Sequence, residues 1–172
     1  MYTHEFMAPL FELLEQCRGV PQMKVHHPEG DVLNHSLQVT EWAFRESTDI
    51  DLIFAAMFHD VGKAVVSKGH EKESVKMMRF CATSKTLWLI KNHMRFWDFI
   101  LGDMRRRGKV RDLVECQWFN DLALLCRWDK MGRNPHKKMV FDRDKIIDKL
   151  NVCSDLKYVN VEPLEGAKQW KG

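Results

Sequence analysis

Apolar residues recur at intervals of three and four along most of the chain, which is the spacing of amphipathic helices. A first short helix is predicted to end near Gly19, and a loop is predicted over residues 20–30, where two prolines interrupt the pattern. Asp31 is a suitable N-cap for a second helix. Residues 52–58 form the longest wholly apolar run, as expected for a helix at the centre of a core.

Helical spacing continues through the second half of the chain. Further helices are predicted to begin at His70 and at a cap formed by Ser84, and a strong helix is predicted over about residues 118–131. A short helix is predicted over residues 145–150, whereas residues 152–172 are weakly patterned. Because no stretch alternates in the manner of a strand, we predict an all-α fold, a compact helical bundle, in one domain spanning all 172 residues.

Composition and cysteine use are those of a globular domain. With 45% apolar and 30% charged residues, the chain can form a hydrophobic core and is neither disordered nor fibrous. The longest apolar run is too short for a membrane span, and the N-terminus lacks the segments of a signal peptide. The five cysteines have no C-x-x-C spacing and are expected to be reduced. We therefore expect a cytoplasmic protein with no membrane partner and leave its oligomeric state open.

Positive charge is concentrated in one part of the sequence. The net charge is +3, but residues 105–138 carry ten Lys or Arg and four Asp or Glu, which gives +6 for this stretch and −3 for the rest. Five of these cations lie within seven residues: Arg105, Arg106, Arg107, Lys109 and Arg111. Two interpretations remain open, a solvated loop between helices or a contact with the phosphate backbone of a nucleic acid.

Several ionisable residues occupy positions where the helical pattern calls for apolar ones. Four helices each place one on the predicted buried face, and a His-Asp pair ends the most apolar helix. The six residues are His35, His59, Asp60, His70, His93 and Asp129. Burying so many ionisable groups without partners is costly, and imidazoles with carboxylates are typical ligands of Mn, Fe, Co, Ni or Zn. The spacing leaves a metal site and a set of hydrogen-bonded core residues as alternatives.

The order and surroundings of these residues resemble a known family. The segments concerned are GVPQ (19–22), HPEGDV (27–32), NHSL (34–37), FHDVGK (58–63), GHEKES (69–74), NHMR (92–95) and WDKMGR (128–133). Together they resemble the HD-domain superfamily of metal-dependent phosphohydrolases. The resemblance is closest to the HD domain of bacterial CCA-adding tRNA nucleotidyltransferases, and it covers about residues 19–133.

The resemblance implies a ligand set for one or two divalent transition metals. In the family pattern one metal is held by His35, His59, Asp60 and Asp129. A second is held by His70 and His93, with Asp60 bridging the two ions. Asp60 is thereby implied to be catalytic, and bound water rather than a side chain is implied to be the nucleophile.

Other residues near these motifs are candidates for further roles. Lys63 is a candidate for both catalysis and substrate binding, as a cation that stabilises charge in the transition state. Arg133 is a candidate substrate-binding residue, with a helix-end cation as the alternative. Glu29 and His27 precede the first ligand helix and are equally consistent with hydrogen bonds inside a loop, so they are left out of the predicted site.

The resemblance implies hydrolysis of nucleotide or RNA-end phosphates, either phosphomonoesters or 2′,3′-cyclic phosphodiesters. One alternative is a di-iron oxygenase of the inositol-oxygenase type, which resembles this sequence in the order of its ligands. Another is a non-catalytic RNA-binding HD module. The sequence lacks the glycine-rich turn and paired aspartates of a nucleotidyltransferase head, since residues 49–51 and 142–144 are better explained as helix caps. We therefore expect a free-standing relative of the hydrolytic domain that does not add CCA.

Overall fold

Eight α-helices and one 3₁₀ turn make up the secondary structure of residues 1–159, the part of the chain that this computed structural model describes, with side chains through residue 156. The helices are α1 (His4–Glu15), α2 (Val32–Glu46), α3 (Ile50–Phe58), α4 (His70–Met78), α5 (Ser84–Ile100), α6 (Arg107–Val114), α7 (Phe119–Met131) and α8 (Arg143–Val159). The 3₁₀ turn spans Val61–Ala64. Within the described range the only β-contact is an isolated bridge between Pro21 and Asp31, which confirms the all-α prediction.

Aspartates begin three of these helices, as predicted. Asp31 caps α2, because its Oδ1 accepts a hydrogen bond from the Asn34 amide at 2.8 Å. Asp49 accepts one from the amide of Asp51 at the start of α3, and Asp142 accepts one from the amide of Lys145 at the start of α8. The two Asp-x-Asp segments are therefore helix starts.

The later helices differ from the expectations in three places. The cap of α5 is Thr83 rather than Ser84, since Thr83 Oγ1 accepts a hydrogen bond from the Thr86 amide. The basic segment, for which a loop between helices was one of two open interpretations, is helical from Arg107 onwards, and the buried side chain of Leu113 anchors this helix, α6. The last helix is longer than residues 145–150, since its buried stripe continues to Cys153. The remainder of the weakly patterned segment, residues 160–172, lies outside the described range.

The core is organised around α3, whose residues 52–58 are all buried. Helices α2, α5 and α7 pack against α3, and α7 also packs against α2 and α5. Helix α4 packs on α5 and on the 3₁₀ turn. This arrangement brings one face of α2, α5 and α7 to the C-terminal end of α3. None of the described helices is both long enough and apolar enough to cross a membrane.

Gly62 allows the 3₁₀ turn to lie directly on α4. Its amide donates a hydrogen bond to Ser74 Oγ at 2.9 Å, and Ser74 Oγ donates one to the carbonyl oxygen of His59 at 2.8 Å. A Cβ at this position would lie 2.2 Å from the carbonyl oxygen of His70. The close approach of two backbone segments therefore requires glycine here.

Candidate metal centre

The fold brings together the six ionisable residues that the sequence places on apolar faces. They come from five separate parts of the chain: His35 from α2, His59 and Asp60 from the turn after α3, His70 from α4, His93 from α5 and Asp129 from α7. All six are buried, with at most 4% of their surface exposed. The turn after α3 brings His59 and Asp60 into the middle of the group because α3 ends at Phe58, directly before this His-Asp pair.

Asp60 lies at the centre of the group, and its two oxygens face different partners. Oδ2 lies 3.7 Å from His35 Nε2 and 3.4 Å from His59 Nε2. Oδ1 lies 3.0 Å from His70 Nε2 and 3.7 Å from His93 Nε2. A single carboxylate thus separates two pairs of imidazoles, which is the arrangement of a bridging ligand.

The main chain orients all four imidazole rings in the same way. Each ring has its Nδ1 between 2.7 and 3.1 Å from a carbonyl oxygen, and since a carbonyl can only accept, each Nδ1 carries the hydrogen. The pairs are His35 with Gly132, His59 with Ala56, His70 with Ser67 and His93 with Ile90. This arrangement points the Nε2 atom of every ring towards Asp60, as in metal-binding histidines.

The inward-facing atoms lack the partners that buried polar atoms normally have. His35 Nε2, His59 Nε2 and Asp60 Oδ1 are buried without a hydrogen bond. The Nε2 atoms of His70 and His93 also point inward and lie 3.3 Å apart. Cations at these positions would satisfy all of these atoms, and the donor set suits Mn, Fe, Co, Ni or Zn.

Two separate groups within the cluster have the geometry to hold a metal ion. One consists of His35, His59 and Asp129, and the other of Asp60, His70 and His93. His35 Nε2 lies 3.1 Å from Asp129 Oδ1, which completes the first group. The division matches the two ligand sets that the resemblance implies, with Asp60 in contact with both.

The imidazoles of the cluster differ in charge, because burial and the neighbouring carboxylates act on their pKa values in opposite directions. Burial lowers the pKa of His59 to about 3 and also lowers the pKa of His93, so both rings are neutral at pH 7. Burial acts against protonation of His35 too, but the carboxylates of Asp129 and Glu29 outweigh it and raise its pKa to about 9. Burial would raise the pKa of Asp60, yet the surrounding imidazoles and Lys63 hold it well below its usual range.

Metal binding at pH 7 should therefore release protons. His35 must lose its proton before Nε2 can coordinate, so the affinity for Co²⁺ should rise with pH up to about 9. The stability of the metal-free protein should change with pH in the opposite direction. Because the pKa of His35 is raised in the folded state, this residue stabilises the fold below pH 6.5, and its contribution is lost as the pH rises through about 9. Calorimetric titration in buffers of different ionisation enthalpy measures the released protons, and a heat that is independent of the buffer would contradict the expectation.

The second group of the cluster, together with Asp129, lines a cavity of about 720 Å³. Apolar and cationic side chains share its wall, which is formed by Met23, Met94, Trp97, Gln22, Lys63, Lys130 and Arg133, among others. Lys63 Nζ lies 2.6 Å from Asp60 Oδ2 and 2.8 Å from Gln22 Oε1. Lys63, the predicted catalytic lysine, is therefore in contact with the carboxylate of Asp60.

Arg133 and Trp97 both hold the carboxylate of Asp129. Arg133 Nη2 donates a hydrogen bond to Asp129 Oδ1 at 2.9 Å, and Trp97 Nε1 donates one to Oδ2 at 3.2 Å. Arg133 Nη1 also donates to the carbonyl oxygen of His26, which ties the 20–30 loop to α7. Arg133 thus lines the cavity as predicted for a substrate-binding residue and also positions a metal-ligand candidate.

Glu29 and His27 are closer to the cluster than the sequence indicated. Glu29 is fully buried, with its Oε1 2.7 Å from His35 Nδ1, and His27 lines the cavity. The Pro-Glu-Gly-Asp segment just before α2 is the sequence feature that could have placed Glu29 in the site. Hydrogen bonding inside the loop explains this segment equally well from the sequence alone.

The five cations of the basic segment lie at the start of α6 and just before it, all exposed to solvent. Arg95 Nη2 donates a hydrogen bond to the carbonyl oxygen of Lys109 at 3.2 Å. Arg95 follows Met94 on α5, and Met94 lines the cavity. The segment is therefore linked to α5, which contributes to the cavity wall, and none of its five cations lines the cavity.

Residues 32–146 match the family described as the HD domain, which is more than half of the chain and includes all six clustered residues. The chain belongs to the HD domain family. Membership places it in a superfamily of metal-dependent phosphohydrolases, and the two His/Asp groups of the cluster fit that chemistry.

Relatives of this HD domain protein include multifunctional CCA proteins from several bacteria. The protein from Methylococcus capsulatus is 41% identical over 132 residues, which cover 70% of this chain and 30% of the relative. That from Laribacter hongkongensis is 29% identical over 152 residues, covering 77% and 38%. That from Variovorax paradoxus is 27% identical over 150 residues, covering 74% and 35%. The chain thus spans roughly a third of the length of these relatives.

Proposed function

We propose that this protein is a metal-dependent phosphohydrolase acting on nucleotide or RNA-end phosphates, either phosphomonoesters or 2′,3′-cyclic phosphodiesters. The observation that carries the proposal is the pair of ligand groups on either side of Asp60, whose inward-facing atoms lack partners beside a cavity. The HD family match supports the reaction class. The multifunctional CCA proteins among the relatives support nucleotides or RNA as substrates.

Each side chain has a distinct part in this proposal. His35, His59 and Asp129 would hold one cation, His70 and His93 a second, and Asp60 would contact both. When bound, such cations polarise a phosphoryl oxygen and lower the pKa of water. Lys63, which lies beside Asp60 in the cavity wall, adds a positive charge where the phosphoryl group gains negative charge.

The cavity suits a nucleotide in both size and composition. A volume of about 720 Å³ lies within the range of small-molecule sites. Trp97 and the two methionines of the wall offer apolar surface for a base, while Lys63 and Lys130 offer positive charge for a phosphate. The mixed wall supports a substrate that is planar at one end and anionic at the other.

Oxygen dependence distinguishes the hydrolase from an oxygenase with the same ligands. Protein loaded with Mn²⁺, Co²⁺, Ni²⁺ or Zn²⁺ should release phosphate from nucleotides or cyclic nucleotides equally in air and under argon. Metal analysis of the purified protein and a phosphate-release screen measure this directly. A strict requirement for iron and oxygen would establish the di-iron oxygenase instead. Metal binding without turnover of any nucleotide, with RNA bound, would establish the non-catalytic module.

RNA contact through the basic segment is a separate part of the proposal. Changing Arg105, Arg106 and Arg107 to Gln should weaken the binding of a polynucleotide substrate. Each contact between an arginine and a phosphate releases counterions, and this release contributes to the affinity. The affinity should also depend less steeply on salt, and on a single strand the slope should fall by about 0.7 for each phosphate that is no longer neutralised. Binding measured over a range of salt concentrations gives both quantities.

A mononucleotide is the control for this variant because it is too short to extend from the cavity to α6. Its turnover should stay the same when the three arginines are changed. Equal losses for both substrates would indicate misfolding or a direct role in the cavity. No loss for either would show that the basic segment is solvated surface.

A further inference from the structure

Glu29 is a buried carboxylate outside the six-residue cluster, and it joins that cluster to the cavity wall. Its Oε1 lies 2.7 Å from His35 Nδ1 and 3.0 Å from His27 Nδ1. The residue is fully buried, and Oε2 has no hydrogen-bond partner. A buried carboxylate is costly unless it has partners, and here the partners are two imidazole rings.

The Glu29 carboxylate faces His35 on the side of the ring opposite the cluster. It contacts Nδ1, whereas Nε2 of the same ring points towards Asp60 and Asp129.

His35 differs from the other three imidazoles of the cluster in this contact. The Nδ1 atoms of His59, His70 and His93 each face a main-chain carbonyl oxygen. Among the described residues, a carboxylate as a further neighbour of Nδ1 occurs in the cluster at His35 alone. The two ligand groups are thus unequal, since only the first contains a ring backed by an anion.

The main chain of Glu29 helps to hold its loop in place independently of the carboxylate. The main-chain carbonyl oxygen of Glu29 accepts hydrogen bonds from Asn34 Nδ2 at 3.0 Å and from Lys138 Nζ at 2.9 Å. These bonds tie the loop to α2 and to the segment before α8 without the side chain. A role for the carboxylate must therefore lie in its contacts with the two imidazoles.

We propose that Glu29 is a positioning residue that fixes the His35 ring for a cation at Nε2 and holds His27 in the cavity wall. The inference rests on the proposed metal site. A carboxylate at Nδ1 reinforces the tautomer that the Gly132 carbonyl oxygen already favours, and it makes the ring a stronger donor to a metal. The effect is specific to the group of His35, His59 and Asp129, which becomes the tighter of the two.

Glu29→Gln tests the proposal, with Co²⁺ as the probe in a competition titration against a chelator. The variant should bind the tighter Co²⁺ ion about 10–100-fold more weakly and the other ion unchanged. Repeating the titration in a His93→Gln background, where the second group is incomplete, assigns the loss to the first group. In the Zn²⁺-loaded protein, the low-field Nδ1 proton resonance of His35 should shift upfield in the variant.

Glu46→Gln is the matched control. Glu46 also accepts a hydrogen bond from a ring N–H, that of Trp128 Nε1 at 2.6 Å, but it is outside the cavity lining and the cluster. This variant should keep the wild-type affinity for Co²⁺. If Glu29→Gln gives little folded protein, Glu29→Asp is the alternative variant, because it keeps a carboxylate on a side chain that is shorter by one methylene. It should then show weakened Co²⁺ binding with an unchanged helical circular dichroism spectrum.

The outcomes separate the inference from the function on which it rests. Wild-type protein that binds no Co²⁺ would overturn the metal site itself. Wild-type binding together with equal affinity and an unshifted His35 resonance in Glu29→Gln would overturn the positioning role and leave the metal site intact. Equal weakening in Glu29→Gln and Glu46→Gln would also overturn it, since general destabilisation would then explain the loss.

Discussion

Asp60→Asn should lower phosphate release by about 10³-fold or more, because a loss of about 4 kcal/mol of charge stabilisation corresponds to that factor. The two oxygens of Asp60 face different pairs of imidazoles, so no other carboxylate in the cluster can replace it. An amide of the same size carries no charge and directs an N–H₂ group towards one of the two pairs. Steady-state phosphate release and metal content by mass spectrometry measure the effect.

The helical fold should survive this change, because Asp60 lies in a turn and the helices pack through apolar contacts. Asp121→Asn is a suitable control, since Asp121 is a helical aspartate paired with Lys85 away from the cavity. It should leave activity unchanged. Wild-type turnover by a metal-replete Asp60→Asn protein would refute the site.

His70→Gln and His93→Gln should differ in kind from Asp60→Asn. Each variant removes one ligand of the second group only. The metal ion of the first group should therefore stay bound, and the ion of the second group should bind more weakly. Complete loss of metal in both variants would show that the division into two groups is wrong.

Gly62→Ala should destabilise the fold by at least about 3 kcal/mol, the upper part of the range for overpacking. The new Cβ would lie 2.2 Å from the carbonyl oxygen of His70 and 2.7 Å from the amide of Ser74, both of which are main-chain atoms. Relief requires α4 to move away from the 3₁₀ turn, and His70 would move with it. The midpoint of denaturant unfolding and the number of bound metal ions should both fall.

Gly108→Ala makes the same chemical change where there is space. Gly108 is in α6, and a Cβ there meets no atom within 4 Å. This variant should be slightly stabilised, by up to about 1 kcal/mol, since alanine loses less conformational freedom than glycine in a helix. Equal stability of Gly62→Ala and the wild type would contradict the close approach of the 3₁₀ turn to α4.

The sequence by itself determined the all-α class and identified the six clustered residues as ionisable residues at apolar positions of the helical pattern. Helical periodicity is a local property, so a histidine at an apolar position of α2 or α5 can be recognised from the residues three and four positions away. Capping is local too, which is why Asp31 was predicted correctly. Errors arose where two neighbouring residues were both suitable, as with Thr83 and Ser84, or where one buried anchor decided the outcome, as with Leu113 in α6.

Only the tertiary structure decided how the clustered residues are related to one another. The assignment of the two Asp60 oxygens to different imidazole pairs depends on the packing of α2, α4 and α5 around one turn, and no spacing along the chain contains it. Glu29 is the clearest example, because a loop carboxylate next to a helix cap has the same local pattern whether it faces solvent or a buried ring. Its proposed role follows from its contact with His35, and that contact depends on how the 20–30 loop folds back onto α2.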